Sequence, residues 1–586
     1  MMAFFTRSVF RWRLLALARY DTRQNVARVC VLLLSRKRKC IPVTTGAPCE
    51  FCTLKRWQCD LLASPYTVQL TNTDNIALYH DSGPRAGPCS SDIPTAVCDE
   101  LVDLYFDLVH DKQHIIFHLY TFIQDQRRGR AADFLVLGMV ALMASFSSHP
   151  FFDGFTPRDR GRLWLQRAVQ AFNMRPKLID IESLQGCLLA FVSLVEMDAV
   201  QDTLLSAQAI RMVQVLQLPM VLSSEPIRRE RMIVFWQCWM MDTWHSVQAQ
   251  FPTQLKVGAD FKPPLEEGAF AAMRATEPPD LHTEDRIVEE GLREGSLWSL
   301  VLPLTEIHGQ VVLFNDELAR QSLARGEIRD RVAVLTARLD YWLQSLPDGL
   351  RDTPENWQVQ TERGRHREFA AMHMLYHHQS QLLYYQFLHK AVSSTSTWTS
   401  PSMQPDPEAI QCAGRCKSHA TRLSEIMWNL NSTPETQCLW SPLNGHLLVI
   451  ASSIHLHSML FDTHASALES ARLVLEHNFI MLLQLQKYWP SLQLSLSWLR
   501  AFHRACLMER SERHFDMDFW MIAFLNRYMN NVPEGHEDLD LTPSNSNASG
   551  LSDSPLIVGS PGRGVWWKEL FGEEEQGSDP FNHESE

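Results

Sequence analysis

Apolar residues recur at helical spacing through most of this chain, and nowhere does a strand-like alternation persist. In VCDELVDLYFDLVHD (97–111), Val97, Leu101, Leu104, Tyr105 and Leu108 share one face, which predicts an amphipathic helix with that face inward. FHLYTF (117–122) and ADFLVLGMVALMASF (132–146) follow. Residues 157–173 read as one helix with Pro157 at its first turn, where a missing N–H costs nothing. The pattern continues in 181–197, 200–218, 225–247, 287–314, 329–346 and 368–390. A polar break at 393–407 precedes a last helical run to Tyr528. The predicted fold class is all-α.

Breaks in this pattern divide the chain. Residues 1–29 form a basic N-terminal extension, and 30–60 a compact cysteine-rich unit. Residues 61–94, with Pro65, Gly83, Pro84, Gly87, Pro88 and Pro94, read as a linker without a sustained heptad. A helical core spans 95–270 and a helical continuation 271–530. The acidic tail 531–586 has the Pro, Gly, Ser and acid content of a disordered segment.

Composition adds an asymmetry. The net charge of −13 combines a head and a tail of opposite sign. Residues 1–59 carry twelve Lys/Arg against two Asp/Glu, and residues 533–586 carry the reverse. A basic head and an acidic tail suit a protein that holds DNA at one end and another protein at the other. No uncharged apolar run reaches about 18 residues, so no membrane span is predicted. Three readings of 1–29 stay open: an import leader, a flexible basic arm, or a mis-read start.

Five of the 13 cysteines fall in CVLLLSRKRKCIPVTTGAPCEFCTLKRWQC, at Cys30, Cys40, Cys49, Cys52 and Cys59. So short a segment cannot bury enough apolar surface to fold alone. Thiolate-held zinc supplies on the order of 10 kcal/mol or more to such segments. Arg36, Lys37, Arg38 and Lys39 abut Cys40, which points to a metal-pinned unit whose cations meet nucleic acid. The other eight cysteines are scattered singly, which argues against a disulfide framework and for a reducing compartment.

These residues resemble the fungal Zn(II)2Cys6 binuclear cluster transcription factors, whose pattern is C-x2-C-x6-C, a loop, then C-x2-C-x6-C. The five cysteines fall in register, and Arg36, Lys37 and Lys39 match basic positions of the motif. Leu33 stands where the second cysteine belongs, and Leu34 where an arginine is usual. The resemblance implies one complete zinc site (Cys30, Cys49, Cys52, Cys59) and one a ligand short (Cys30, Cys40, Cys49). It leaves open two zincs, one or none. It implies double-stranded DNA as partner, with Lys37 reading a base, in a CGG-type triplet. Arg36, Arg38, Lys39, Lys55 and Arg56 would neutralise phosphates. One cluster alone should bind weakly, so specificity calls for a homodimer or added contacts from the helical core.

Downstream, LVDLYFDLVH, SLQGCLLAFVSL, AQAIRMVQVLQLP, RRERMIVFWQCWMMDTWHS and PTQLKVGADFKPPLEE are similar in order and spacing to the fungal-specific transcription factor domain, over about 97–267. The implied setting is the nucleus, in a regulator of RNA polymerase II genes. A small apolar effector could be lodged among Trp236, Trp239, Met240, Met241 and Trp244, although core packing explains these residues as well. VWWKELFGEEE (565–575) has the make-up of an activation segment for a coactivator. The alternative reading is a degenerate regulator that acts through its helical domain without DNA. His373 and His377 share a helical face, but no HExxH accompanies them and core packing is the expectation. No GxxxxGK[ST], GxGxxG after a strand, or GxSxG occurs, and nothing asks for an enzyme.

Overall fold

The computed structural model describes residues 93–110, 116–174, 179–194, 199–218, 226–248, 252–257, 297–395, 406–432, 441–489, 491–511 and 517–530. All of them lie in the second of two compact units, Arg85–Glu586. Among the described residues the regular structure is helical throughout, without a strand.

The helices are α1 (Thr95–Leu108), α2 (Leu119–Arg127), α3 (Asp133–Met143), the single turn α4 (Pro157–Arg160), α5 (Arg162–Met174), α6 (Ile181–Leu194), α7 (Ala199–Leu216) and α8 (Pro226–Gln248). Then come α9 (Leu297–Ala319), α10 (Arg325–Ser345), α11 (Pro354–Glu362), α12 (His366–Tyr384) and α13 (Leu388–Thr395). The last are α14 (Pro407–Asn431), α15 (Pro442–Phe461), α16 (Ala465–Gln486), α17 (Leu492–Ser511) and α18 (Met517–Asn530). Several start where the sequence provides a cap. Asp406 Oδ1 accepts the Glu408 and Ala409 N–H groups, and Thr353 Oγ1 accepts that of Asn356, each with proline at the first helical position.

The first part is organised around α3, where every residue from Phe134 to Met143 is buried. A helix that is apolar all round must be enclosed, and α1, α5 and α6 enclose it. Two glycines allow the close approach. A Cβ on Gly161 would run into the Ala141 carbonyl oxygen, and one on Gly186 into the Phe134 ring. Gly161 also divides the predicted 157–173 helix into α4 and α5. The inward face of α1 is rotated from the predicted one. Val97, Cys98, Leu101, Val102 and Tyr105 are buried, whereas Leu104 and Leu108 are only half-buried. A long helical side chain covers the turn before its own Cα, so a stripe with tight cross-helix contacts shifts by about one position.

Two carboxyl groups of α8 tie distant chain to this core. Glu230 Oε1 accepts the His118 N–H at 2.8 Å, while the Gln185 amide donates to the Ile116 carbonyl. Together they pin Ile116, Phe117 and His118, all nearly fully buried, at the entry to α2. At the other end of α8, Asp242 Oδ2 accepts the Gln254 and Leu255 N–H groups at 2.7 Å each, and Oδ1 accepts the Ser246 hydroxyl at 2.8 Å. The irregular strap 252–257 is thereby held against α8, with Leu255 buried.

In the second part α12 packs on α9 and α14, and α15 on α14, α16 and α17. α9 is long and apolar enough to cross a membrane by length and composition. It is a core helix here: it lies against α8, α12 and α18 and buries His308 and Asn315. The predicted 368–390 helix is interrupted by a tighter 3-10 turn, Tyr385–Phe387, between α12 and α13. Cys187, Cys238, Cys412, Cys416 and Cys506 are buried free thiols.

Replacing Asp242 by alanine leaves the buried Leu255 N–H and the part-buried Gln254 N–H without their acceptor. A loss of about 2–4 kcal/mol is expected from hydrogen bonds to a charged group. The checks are the urea midpoint and new protease cleavage within 249–258.

Candidate functional site: a buried histidine seam

The polar chemistry of the helical body is concentrated on α12. Every residue from Met374 to Tyr384 is buried except Leu375, which is half-buried. A helix closed in on all sides must bury its polar residues too, and each then needs a partner. His373 Nε2 donates to the Leu350 carbonyl at 3.1 Å. His378 Nδ1 pairs with the Gln381 amide at 3.0 Å, and Gln379 Oε1 accepts from His308 Nδ1 at 2.9 Å. The indole of Trp244 stacks on His308 with ring centres 3.7 Å apart, and the His378 ring lies between those of His308 and His446, at 6.2 and 5.9 Å. One line of side chains thus runs from α8 through α9 and α12 to α15.

Two more histidine pairs flank the seam, each next to a carboxylate. His377 Nδ1 and His419 Nδ1 are 2.8 Å apart, with Asp352 Oδ2 3.8 Å from His377 Nε2. His389 Nδ1 and His457 Nε2 are 3.1 Å apart, with Glu509 Oε1 3.5 Å from His389 Nε2. Asp352 is a hub: Arg422 grips it through Nε at 2.7 Å and Nη2 at 2.6 Å, and the Trp357 indole donates at 2.7 Å. Burial alone would raise the Asp352 carboxyl. The Arg422 guanidinium, His377 and Trp357 outweigh it and hold the group well below the usual carboxylate range.

Burial acts in one direction on the imidazoles. It holds His308, His373 and His446 down at about 4 and His419 at about 3, and puts His378 well below its ordinary value. The seam is therefore built of neutral rings. Glu230 moves the opposite way: burial raises its carboxyl to about 7, against the His118 N–H bond.

The sequence-predicted residues divide into two sets. Cys30, Cys40, Cys49, Cys52 and Cys59, with Arg36, Lys37, Arg38, Lys39, Lys55 and Arg56, lie outside the described residues, as do 1–29, the linker, and the acidic tail. The histidines and α8 aromatics lie inside. His373, His377 and His378 are packed in the core, and among the described residues no three metal-ligating side chains converge. Trp236, Met240 and Met241 are buried in the main core cluster, with Trp239 packed against it. Trp244 of this set stacks on His308. Two open clefts flank α14. One of about 180 Å³ is lined by Trp357, Arg422 and Asn429, and one of about 340 Å³ by Asn429, Trp428 and His477. Glu230, Asp242 and Asp352 were not signalled by any motif, because their partners His118, Gln254 and Arg422 lie 112, 12 and 70 residues away.

The signs of these shifts set the pH response. A base with a lowered pKa in the folded state is protonated preferentially in the unfolded chain, so its contribution is lost as pH falls below about 6.5. Each of the four histidines at about 3 or 4 contributes a slope on the order of 1.4 kcal/mol per pH unit in that window. Glu230, raised to about 7, contributes with opposite sign, losing stability as pH rises from about 4.3 to 7. The expected outcome is a urea midpoint that falls steeply from pH 6.5 to 5. His373→Gln, which keeps an N–H for Leu350, should reduce the slope by about one proton.

Residues 102–265 match the fungal specific transcription factor domain. The chain is 23% identical, over 536 residues, to the Zn(2)-C6 fungal-type transcription factor FTF1c of Fusarium oxysporum f. sp. lycopersici, an alignment covering 84% of this chain and 55% of that protein. It is 27% identical over 199 residues to the Zn(2)-C6 fungal-type transcription factor FTF2 of the same organism, covering 31% of this chain and 18% of that one. The chain spans about half the length or less of the curated relatives it matches. The matched segment runs from within α1 to beyond the strap that Asp242 holds, and so takes in the α3-centred core and all of α8. Within this chain the likeness to the fungal specific transcription factor domain is thus carried by residues 102–265.

Proposed function

We propose that this chain is a zinc-dependent, sequence-specific DNA-binding regulator of RNA polymerase II genes in a fungus, acting in the nucleus. The observation that carries the reading is the match of 102–265 to the fungal specific transcription factor domain. It is independent of the cysteine register at 30–59, and both indicate the same kind of protein. In this reading Cys30, Cys40, Cys49, Cys52 and Cys59 hold zinc, and Lys37 reads a base in a CGG-type triplet. Arg36, Arg38, Lys39, Lys55 and Arg56 sit on phosphates. The helical body responds to an effector or a partner, and the acidic tail meets a coactivator. Because binding by one cluster is weak, a homodimer or body contacts complete the specificity.

A specific residue favours a second reading. Leu33 occupies the second ligand position and leaves one of two zinc sites a thiolate short. If the head takes up no metal, the chain acts through its helical domain as a ligand- or protein-interaction module.

Metal content and DNA binding of the full chain separate the two. The first reading expects one to two zinc per chain, and at least a tenfold weaker affinity for CGG-containing duplex after chelation. Cys49→Ser should abolish binding, since that residue would serve both sites, and Lys37→Ala should erase the preference for the triplet while leaving weak, salt-dependent binding. A chain free of zinc whose DNA affinity ignores the chelator sinks the first reading.

A further inference from the structure

Four side chains at the meeting of α9 and α12 have polar atoms that the protein itself does not satisfy. They are His308 Nε2, His378 Nε2, the Gln379 amide nitrogen and the Gln381 amide oxygen. All four residues are completely buried. The partners of their other atoms settle what each requires. His308 Nδ1 donates to the Gln379 oxygen, so the proton of this neutral ring sits on Nδ1 and Nε2 is a bare acceptor. The Gln381 amide donates to His378 Nδ1, so that ring carries its proton on Nε2, a donor. Gln379 adds N–H donors and Gln381 a carbonyl acceptor. The set comprises two kinds of acceptor and two of donor, the complement of a water molecule's two hydrogens and two lone pairs.

We infer that ordered water occupies this seam and bridges His308 Nε2 to His378 Nε2, with the Gln379 amide as a further partner. The two rings are near enough for one small molecule to lie between their edges. The ring centres are 6.2 Å apart at an interplanar angle of 27°. A water with two bonds of about 2.9 Å spans nitrogens roughly 4.5–5.5 Å apart. A buried water makes about three hydrogen bonds, and this seam offers up to four. Ions fit poorly. The unsatisfied atoms belong to neutral rings and amides without a countercharge, and burying an unpaired ion is prohibitively costly. Among the described residues no group of three metal ligands is close enough to hold a cation. The seam joins α9, on which Trp244 of α8 stacks, to α12 through exchangeable hydrogen bonds instead of interlocked methyl groups.

A crystal structure of the full chain at a resolution that shows ordered solvent is the direct test. The expected result is a water peak about 2.6–3.2 Å from both His308 Nε2 and His378 Nε2. A seam without density, or one holding a metal ion, overturns the inference. In solution the double variant His308→Phe with Gln379→Leu gives a second reading. In a hydrated seam it removes satisfied partners and strands the water, and Tm falls by about 2–4 °C or more. In a dry seam it removes unsatisfied polar groups, and Tm rises; a rise contradicts the hydrated seam.

Discussion

Enclosure of polar helices is the constraint on which the helical body depends. α12 and α15 lie at its centre and are buried nearly all round, yet both are rich in histidine, serine and amide side chains. Burying such groups is unfavourable unless each finds a partner, so neighbouring helices are fixed by what α12 and α15 require. Asn315 of α9 donates to the Leu382 carbonyl, Tyr385 pairs with Ser453 at 2.9 Å, and Asn478 of α16 donates to Ser452. Apolar packing supplies the driving force for collapse. These directional bonds select one arrangement among the many a greasy helical bundle could adopt.

The same logic joins the family-matched segment to the rest of the body. The residues after α8 are tied back by Asp242, and Trp244, two residues further along that helix, stacks on His308 of α9. α8 therefore carries both the closing bond of the first part and a ring contact to the second. Its other end holds His118 through Glu230, 112 residues distant. A displacement of α8 along its axis would strain three separate attachments at once, which makes this helix one mechanical link between the two groups of helices. Coupling in that sense is a matter of contact geometry; a second stable position of α8 would be needed for it to act as a switch.

Helix positions were largely legible in the sequence, because period 3.6 in apolar residues survives wherever one face is polar. The reading weakened where burial is complete. Periodicity follows apolar residues and says nothing of Gln379 and Gln381, which are fully buried. It joined 157–173 into one helix because nothing in residue type shows that Gly161 must pass the Ala141 carbonyl. It missed Asp352 beside His377, since the acid approaches from a loop 25 residues upstream, outside any i, i+3 or i+4 relation. Chemistry that relies on short spacing, such as the cysteine register of 30–59, is open to sequence reading; chemistry assembled by folding is not.

The two kinds of buried titratable group also oppose one another in a definite way. Histidines kept neutral by burial favour the folded chain at high pH, whereas Glu230, kept protonated by burial, favours it at low pH. Several imidazoles outweigh one carboxyl on the acid side, so the optimum lies above the histidine range. Burial raises the Glu230 carboxyl to about 7 while it holds the entry to α2. Both states accept the His118 N–H, but only the anion must be desolvated, so the contact persists while its net contribution falls. The segment that matches the domain is thus pinned at one end by Glu230, whose net contribution depends on proton concentration, and at the other by Asp242, which accepts three hydrogen bonds. As pH rises the His118 bond is kept, while burying the Glu230 anion lowers the net stability that this end contributes.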